Sequence, residues 1–304
     1  MKLGFLIVTY NRLEKLIDAI QHYDEQLTQE DSLYVVDNGS DEYTQRYLKD
    51  WISQIRKYKK IVIRIDNNIG ATYGFKKGLQ RAVDDEMDWI HISDDDAFPS
   101  VNYVENLRRI IMNSNSGIGA VCSKITYPNG NVQYCHRRFL TKGAFRVNEN
   151  NSLLSDYENT EFDLNLFSFV GVAIKIEAIK CIGLPDERFY IWYDDTEYSY
   201  RISKKYRIKC YSELVFIHDC GNNGANGKVS YKEYYGYRNR LIMLKNHFKR
   251  RYVNYYLMVL RLRCISNWFK CRKRVEIIND SIKDFKRNVT GTNSSYLPSS
   301  FKEE

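Results

Sequence analysis

Three consecutive carboxylates follow an apolar segment of the chain. Residues 89–93 are typical of a buried strand, and Asp94, Asp95 and Asp96 come directly after them. Neighbouring carboxylates raise one another's pKa unless a cation neutralises them, and Mg²⁺ and Mn²⁺ prefer carboxylate oxygens. Asp94 and Asp96 would point to the same side if the strand continued. We therefore expect a divalent cation and a phosphate here, with a solvated acidic turn as the alternative.

A second acidic group follows an aromatic stretch that contains Tyr190 and Trp192. Asp194, Asp195 and Glu197 lie at the expected start of a helix. Carboxylates at a helix N-terminus are favoured by the helix dipole and by unpaired amides, so capping is one interpretation. Aromatic rings give sugar rings apolar faces to stack on, and a nearby carboxylate can act as general base toward a hydroxyl. Because three carboxylates exceed what capping requires, we expect this chemistry here.

One histidine ends a later apolar segment. Residues 214–217 are typical of a strand, and His218 follows them. A lone histidine is more often structural than a ligand. Its place at a strand end, in a chain with an Asp-x-Asp pattern, favours a metal ligand here.

The sequence predicts alternating strands and helices that would position these residues. Apolar runs predict strands at residues 3–10, 32–37, 61–65 and 89–93, and helical periodicity covers residues 13–23 and 71–83. Strands without polar alternation, separated by helices, predict an α/β fold with a mostly parallel, Rossmann-like sheet and helices on both faces.

The residues that follow the four predicted strands are polar. In open α/β sheets, ligands bind beyond the carboxyl ends of the strands. We therefore expect one ligand site at this edge, formed by residues 9–12, 37–40, 66–68 and 94–96.

Length and cysteine usage narrow the class of protein. The chain of 304 residues can form one large domain, or one domain with an appendage. Its seven cysteines show no CxxC spacing, which predicts reduced thiols and no zinc site. The first strand begins directly after Lys2, which leaves no room for a signal peptide, and no apolar run approaches the roughly 18 residues that span a bilayer. We expect a cytoplasmic protein.

The C-terminal part of the chain is strongly basic. Residues 228–288 carry a charge of +13 while the whole chain carries +8, so the remainder carries −5. Cations mixed with Trp, Tyr, Leu and Met at helical spacing suit a helix at an anionic membrane surface. Packing on the sheet or contact between copies of the chain is the alternative. We expect domains at 1–227 and 228–288 and a flexible tail at 289–304.

The order of these motifs resembles that of the family-2 inverting glycosyltransferases of the GT-A fold. The resemblance covers about residues 3–220 and rests on segments 8–12, 35–40, 68–70 with Gly74 and Gly78, 94–96, 192–197 and His218. Within this family, the triple Asp and segment 192–197 are most similar to bacterial galactofuranosyltransferases and rhamnosyltransferases that build surface polysaccharides. The chain departs from their pattern at Tyr193, which separates Trp192 from the Asp pair.

The resemblance implies roles for individual residues. It implies that Asp96 and His218, together with Asp94, bind Mn²⁺ or Mg²⁺, and that Asp195, or less favourably Asp194, is the general base. Tyr190, Trp192 and Glu197 would contact the acceptor or the sugar. The nucleotide would be bound by Thr9, Tyr10, Asn11, Arg12, Asp37, Asn68, Gly70, Asp94 and Asp95.

The resemblance also implies substrates. UDP-galactofuranose is the favoured donor, followed by dTDP-rhamnose, with UDP-galactose and UDP-glucose left open. The acceptor would be a hydroxyl of a lipid-linked glycan or an oligosaccharide in capsule or cell-surface polysaccharide synthesis. The enzyme would then lie at the inner face of the cell membrane as a peripheral protein, with a homo-oligomer left open.

Two other classes of protein fit less well. An aspartyl phosphotransferase ordinarily carries Asp-x-Asp after its first strand, which here ends in residues 9–11. A nucleic-acid-binding protein would use the basic region but would leave both acidic groups unexplained, so we expect no nucleic-acid partner.

Overall fold

The computed structural model describes residues 1–221, 229–298 and 300–301. The described strands are β1 (Leu3–Thr9), β2 (Asp31–Asn38), β3 (Lys59–Ile65), β4 (Trp89–Asp94), β5 (Ala97–Pro99), β6 (Ile118–Thr126), β7 (Arg137–Lys142), β8 (Val147–Asn151), β9 (Glu161–Leu164), β10 (Leu166–Phe167), β11 (Val172–Lys175) and β12 (Arg207–His218). The described α-helices are α1 (Leu13–Asp24), α2 (Glu42–Ser53), α3 (Ala71–Asp84), α4 (Tyr103–Asn113), α5 (Ile176–Ile182), α6 (Asp194–Ser203), α7 (Lys232–His247), α8 (Arg250–Asn267) and α9 (Arg272–Lys286).

The central sheet has the order β3-β2-β1-β4-β11-β6-β12-β5, and β9 also pairs with β12. Strands β1 to β4 are parallel to one another, as are β6 and β12. Strand β11 runs antiparallel between β4 and β6. A smaller sheet contains β10, β7 and β8. The predicted α/β fold with a mostly parallel sheet is confirmed, and the antiparallel strands add to it.

Strands β1 and β2 are buried along their whole length, because helices cover both faces of this sheet. Helix α3 approaches β1 closely through two glycines one turn apart. An added Cβ would lie 2.7 Å from Val8 at Gly74 and 2.4 Å from Leu6 at Gly78. The two glycines therefore let the helix backbone pack directly on the side chains of Val8 and Leu6 of β1.

Strand β4 ends too early for Asp94 and Asp96 to alternate along one strand. Strand β4 stops at Asp94, and Asp95 and Asp96 form the turn that leads into β5. The expectation that Asp94 and Asp96 share a strand face is therefore wrong. The turn itself gathers the three carboxylates.

The C-terminal helices pack on the rest of the chain. Asn239 of α7 is buried and donates hydrogen bonds to the carbonyls of Phe189, Ile191 and Trp192 at 2.7, 3.0 and 2.9 Å. These bonds attach α7 to the segment before Asp194. The expected boundary at residues 227 and 228 lies outside the described residues. None of the helices in the described ranges combines the length and apolarity needed to cross a bilayer.

The chain after residue 288 is packed where the structure describes it. Ser294–Tyr296 forms a 3-10 helix, and the ring of Tyr296 stacks on Tyr234 at 4.2 Å and is buried. The polar composition predicted a loose tail, but one aromatic residue anchors this segment. Residues 299 and 302–304 lie outside the described part.

Candidate active site

The acidic turn after β4 is neutralised by one arginine from the end of β1. Arg12 donates to Asp95 at 2.8 Å and to Asp96 at 2.6 Å. The Thr9 hydroxyl donates to the other oxygen of Asp95 at 2.7 Å. The turn thus holds its carboxylates together, because a fork-shaped cation bridges two of them.

The carboxylates of this turn differ in pKa. Burial, together with the charges of Asp96 and Asp95, raises the pKa of Asp94 well above its usual range. Burial also raises the pKa of Asp95 to about 6. For Asp96, burial acts in the upward direction, but contacts with His218 and Arg12 lower the pKa to about 2. Asp94 is therefore the carboxylate that gains most from a bound cation.

His218 is held by a hydrogen-bonded network centred on Gln133. The Gln133 amide nitrogen donates to the His218 carbonyl at 2.8 Å, which orients the amide group. Its oxygen then accepts from Nδ1 of His218 at 2.8 Å and from Nε2 of His136 at 2.9 Å. In the neutral ring, the proton is thus on Nδ1 and the lone pair is on Nε2 of His218.

The described residues fit a divalent cation that also binds a substrate. Nε2 of His218 faces Oδ1 of Asp96 at 3.4 Å, a separation that one cation with bonds of about 2.1 Å can bridge. Oδ1 of Asp96 is buried and has no hydrogen-bond partner among the described residues. No cluster of three or more metal-ligating side chains occurs in that part of the chain. The protein thus supplies a partial ligand set.

A pocket of about 200 Å³ opens beside the acidic turn. The expected nucleotide-binding residues that line it are Thr9, Tyr10, Arg12, Asn68, Gly70, Asp94 and Asp95. Further lining residues, which the sequence analysis did not single out for the nucleotide, are Val8, Asn38, Ala71, Tyr190, Ile191, Tyr231 and Pro298. We call this the donor pocket.

Two residues expected in this group have other roles in the structure. Asp37 is buried, forms an ion pair with Arg64 and accepts a hydrogen bond from the Ser40 amide at 2.9 Å. Asn11 is exposed, and its backbone N–H donates to the Ser40 hydroxyl at 2.9 Å. Both stabilise the loop after β2, and neither lines the donor pocket as the structure describes it.

The wall of the donor pocket is fixed by a close contact at Gly70. This residue has φ of +106°, and an added Cβ would lie 2.5 Å from Tyr190. The Asn68 side chain accepts from the Gly70 amide at 3.0 Å, and the Asn38 side chain donates to its carbonyl at 3.1 Å. Only glycine combines this backbone conformation with so little space.

The two aspartates at the start of α6 have different surroundings. Asp194 is buried and accepts from the Thr72 hydroxyl at 2.8 Å, and burial and the charge of Asp195 raise its pKa to about 7. Asp195 is half-buried, and its described hydrogen bonds reach only Oδ1, from the amide and hydroxyl of Thr196. Oδ2 of Asp195 is thus the oxygen available to a proton.

Asp195 lies near two side chains of opposite charge, Arg138 and Glu149. Burial raises its pKa, Arg138 lowers it and Glu149 raises it again. Arg138 is placed by two contacts, since it donates to Glu149 at 3.1 Å and to the Thr196 hydroxyl at 2.7 Å. The pKa of Asp195 therefore depends on the charges of both neighbours.

Two other residues expected to contact acceptor or sugar are arranged differently. Glu197 is buried and accepts from Arg201 at 2.9 and 3.0 Å and from His247 at 2.7 Å, so its oxygens stabilise the fold. Trp192 is 45% exposed and lies against Gly236, where an added Cβ would be 2.8 Å away. Trp192 thus presents an accessible ring and Glu197 does not.

Four residues around this site were not predicted from the sequence. Thr72 lies two positions after Gly70, close enough to the motif to be considered with it. The other three are Gln133, Arg138 and Glu149, which come from the segment between β6 and β9 that carries no recognisable spacing. The adjacent arginines Arg137 and Arg138 are a feature of the sequence there that could have drawn attention.

The chain is similar to known proteins in sequence and in fold. The model of Glycosyl transferase family 2 matches residues 5–172. Galactofuranosyltransferase GlfT1 of Mycolicibacterium smegmatis is 22% identical over an alignment 302 residues long. The alignment covers 88% of this chain and 94% of that protein.

Three solved structures share the fold. GalNAc-T7 with UDP, GalNAc and Mn²⁺ has a TM-score of 0.63 and 15% identity, covering 95% of this chain and 56% of that chain. TarS 1-349 of S. aureus has a TM-score of 0.61 and 14% identity, with coverages of 95% and 81%. Mannosyltransferase PcManGT of Pyrobaculum calidifontis, with GDP-Man and Mn²⁺, has a TM-score of 0.58 and 12% identity, with coverages of 94% and 75%. The chain spans little more than half the length of GalNAc-T7.

Proposed function

The chain belongs to glycosyl transferase family 2 and is a glycosyltransferase, and we propose that it transfers a sugar from a nucleotide diphosphate to an acceptor hydroxyl with inversion. One observation carries this proposal. Asp194, at the start of α6, accepts from the Thr72 hydroxyl at 2.8 Å, next to the pocket residues Gly70 and Ala71, and its charge helps to raise the pKa of Asp94 in the same pocket. This placement of the aspartate pair of α6 supports a base close to the leaving-group site.

We propose that the donor pocket binds the nucleotide. Thr9, Asn68 and Gly70 would contact the base and ribose, Asp94 would accept from a ribose hydroxyl, and Arg12 would move toward the diphosphate. Asp37 would act indirectly, through the loop that it stabilises. UDP and GDP-Man in the similar structures support a nucleotide at this place.

We propose that Asp96 and His218 hold a divalent cation, with Asp94 near it. When bound, Mn²⁺ or Mg²⁺ neutralises charge on the departing diphosphate, which is Lewis-acid assistance. The unpartnered Oδ1 of Asp96 and the lone pair on His218 support this assignment.

We propose that Asp195 is the general base. Its available Oδ2 would accept the proton of the acceptor hydroxyl as that oxygen attacks the anomeric carbon from the side opposite the diphosphate. Asp194 is less suited, because it is buried and already accepts a hydrogen bond from Thr72. Arg138 would stabilise the ionised form of Asp195 before the proton arrives.

Galactofuranose is the sugar that we propose, since a relative across 88% of the chain is a galactofuranosyltransferase. Nucleotide release from UDP-galactofuranose, dTDP-rhamnose, UDP-galactose and UDP-glucose, with Mn²⁺, with Mg²⁺ and with EDTA, tests this choice. We expect the fastest release from UDP-galactofuranose and none with EDTA. Faster release from another donor would reassign the sugar, and release from none would contradict the proposed reaction.

Asp195→Asn tests the base in the same assay with an acceptor present. Loss of a general base lowers the transfer rate by about 10²- to 10⁴-fold, while UDP binding should not change. Asp50→Asn is the matched control, because Asp50 is exposed on α2. Full transfer by Asp195→Asn would move the role of base to Asp194.

We propose that α8 attaches the enzyme to the inner face of an anionic membrane, where a lipid-linked glycan of surface polysaccharide synthesis would be the acceptor. An apolar stripe runs along the second half of α8 and just beyond its end, and is formed by Met258, Leu262, Ile265 and Phe269, which are 47, 56, 71 and 95% exposed. Exposed arginines and lysines surround the stripe, and such cations attract anionic lipid. Pairing of two copies through the stripe is the competing outcome.

A further inference from the structure

A second cavity lies between strand β8 and helices α7 and α8. Its volume is about 390 Å³, within the range of small-molecule sites. We call it the arginine cavity, and the lining residues that matter here are Arg146, Glu149, Arg240, Tyr252, Tyr256 and Arg263.

The lining of the arginine cavity carries excess positive charge. Arg240 lies 3.5 Å from Glu149, and Arg138 occupies the other oxygen of the same carboxylate. The described residues provide no ion-pair partner for Arg146 or Arg263, and both are exposed. One carboxylate therefore faces three arginines in the lining and is already shared with a fourth.

Arg240 also has a donor group without a hydrogen-bond partner among the described residues. Its guanidinium lies 4.6 Å from the ring centre of Tyr256, and its terminal nitrogen donates to the Val147 carbonyl at 3.1 Å. Its Nε is buried and has no partner in the described part of the chain. A planar fork held by an aromatic ring is the arrangement that recognises phosphate oxygens.

The arginine cavity is connected to Asp195 through Glu149. Glu149 in its wall accepts from the Tyr193 hydroxyl at 3.1 Å, and its charge contributes to raising the pKa of Asp195. Tyr190 and Ile191 line the donor pocket instead. The segment from Tyr190 to Asp195 thus separates the two cavities and places the proposed base between them.

The same helix carries the cavity wall and the apolar stripe. Tyr252, Tyr256, Val259 and Arg263 face the cavity at intervals of three or four residues. Met258 and Leu262 each precede a cavity residue by one position, which turns them about 100° around the helix. The cavity is therefore adjacent to the surface proposed to contact lipid.

We propose that the arginine cavity binds a phosphate ester group of the acceptor, on the molecule whose hydroxyl Asp195 deprotonates. This inference rests on the proposed function, because it assumes that an acceptor approaches Asp195. The phosphate ester can come from a lipid-linked sugar phosphate or from a phosphodiester in a glycan polymer. Both present the oxygens that Arg146, Arg240 and Arg263 would bind.

Calorimetry in EDTA tests the cavity without the metal-dependent donor site. The probes are farnesyl phosphate for the lipid source and glycerophosphoglycerol for the polymer source. The variant is Arg146→Gln with Arg263→Gln, since both side chains are exposed and their replacement spares the buried Arg240. Arg46→Gln with Lys49→Gln on the exposed face of α2 removes the same charge elsewhere.

We expect the parent to bind one of the two probes, and the cavity variant to bind it about tenfold or more weakly, because each arginine donates charge-assisted hydrogen bonds. The control variant should bind like the parent. Preference for farnesyl phosphate supports a lipid-linked acceptor, and preference for the diester supports a polymer. Binding of neither probe, or equal binding by the cavity variant, overturns the inference.

A second measurement separates this inference from the proposed function. UDP binding with Mn²⁺ should be the same in the parent and in the cavity variant. Loss of phosphate binding with intact UDP binding supports the arginine cavity. Absence of UDP binding in the parent, with phosphate binding intact, would contradict the proposed function and leave an arginine-dependent phosphate site.

Discussion

Gln133 should control the affinity of the metal site although it is not itself a ligand. Its amide joins the carbonyl and Nδ1 of His218 to Nε2 of His136 through bonds of 2.8, 2.8 and 2.9 Å. Gln133→Met keeps approximate shape and removes all three bonds. The His218 ring can then rotate, or carry its proton on Nε2, the nitrogen that would bind the cation.

The expected magnitude follows from the number and type of bonds lost. Loss of a partner that orients a metal-binding histidine typically lowers metal affinity by about 10- to 100-fold, or about 1.4–2.7 kcal/mol. Three hydrogen bonds at about 0.5–1.5 kcal/mol each also predict a stability loss of a few kcal/mol at most. Gln133→Glu keeps an acceptor for Nδ1, so we expect it to retain most of the affinity.

The assay is titration of Mn²⁺ by electron paramagnetic resonance in the presence of saturating UDP, below the unfolding temperature of each variant. Ser168→Ala is the matched control. It removes the 2.6 Å bond to Nδ1 of His136 and leaves the contacts between Gln133 and His218 in place. We expect less than about threefold weaker binding, because the residue lies one bond further from the cation.

Two results would refute this reasoning. If Gln133→Met bound Mn²⁺ as tightly as the parent, His218 would not be a ligand or would need no positioning. If Gln133→Glu and Gln133→Met lost affinity equally, the orientation of Nδ1 would not be the cause. The amide donation to the His218 carbonyl would then be the important contact.

Three further predictions concern the base, the buried aspartate and the stripe. The transfer rate should rise with pH as Asp195 ionises. Glu149→Gln should move this rise in rate to lower pH, and Arg138→Gln should move it to higher pH, because the two variants remove opposite charges beside Asp195. Asp194→Asn should raise the free energy of unfolding at pH 8 by about 1–3 kcal/mol, since the folded pKa of about 7 exceeds the unfolded value and the stability contribution of Asp194 is lost as pH rises through 7. Phe269→Ser should weaken sedimentation with anionic vesicles, because a 95% exposed ring is lost.

Each of these predictions has an internal comparison. Shifts of the pH limb in the same direction for both charge variants would contradict the electrostatic account. Asp194→Asn should give a much smaller stability gain at pH 4, where the folded carboxyl is protonated and the unfolded one, with a pKa of about 3.9, is only about half ionised. Tyr43→Ser, which removes a ring that is 72% exposed on α2, should leave vesicle binding unchanged. Equal binding to neutral vesicles would favour contact between copies of the chain.

The donor side could be predicted from sequence because it is local. Each strand end carries its own polar residues, and parallel strands bring those ends to one edge. Thr9, Asn68 and Asp94 therefore follow from strand assignment alone. Strand β11 could not be placed in this way, since a four-residue segment with three buried residues does not reveal that it inserts antiparallel between β4 and β6.

The acceptor side depends on contacts that are distant in sequence. Glu149 meets Tyr193 and Arg240 only because β8 lies against the segment before α6 and against α7. The basic composition of the C-terminal region predicted helices but not which arginines face inward. Tyr296 shows the same limit, because its stacking partner Tyr234 is 62 residues away.

The sequence indicated that the triple Asp needs neutralisation, and the structure places an arginine beside each of the two acidic groups. Arg12, which pairs with the acidic turn, is 44% exposed and can exchange its carboxylates for a diphosphate. Arg138, which faces Asp195, is 17% exposed and is held by Glu149 and Thr196. An exchangeable cation suits a site where a charged leaving group arrives and departs. A fixed cation suits a base that must return to the same ionised state after each transfer. In the proposed reaction we therefore expect Arg12 to take part in donor exchange and Arg138 to position the charge of Asp195.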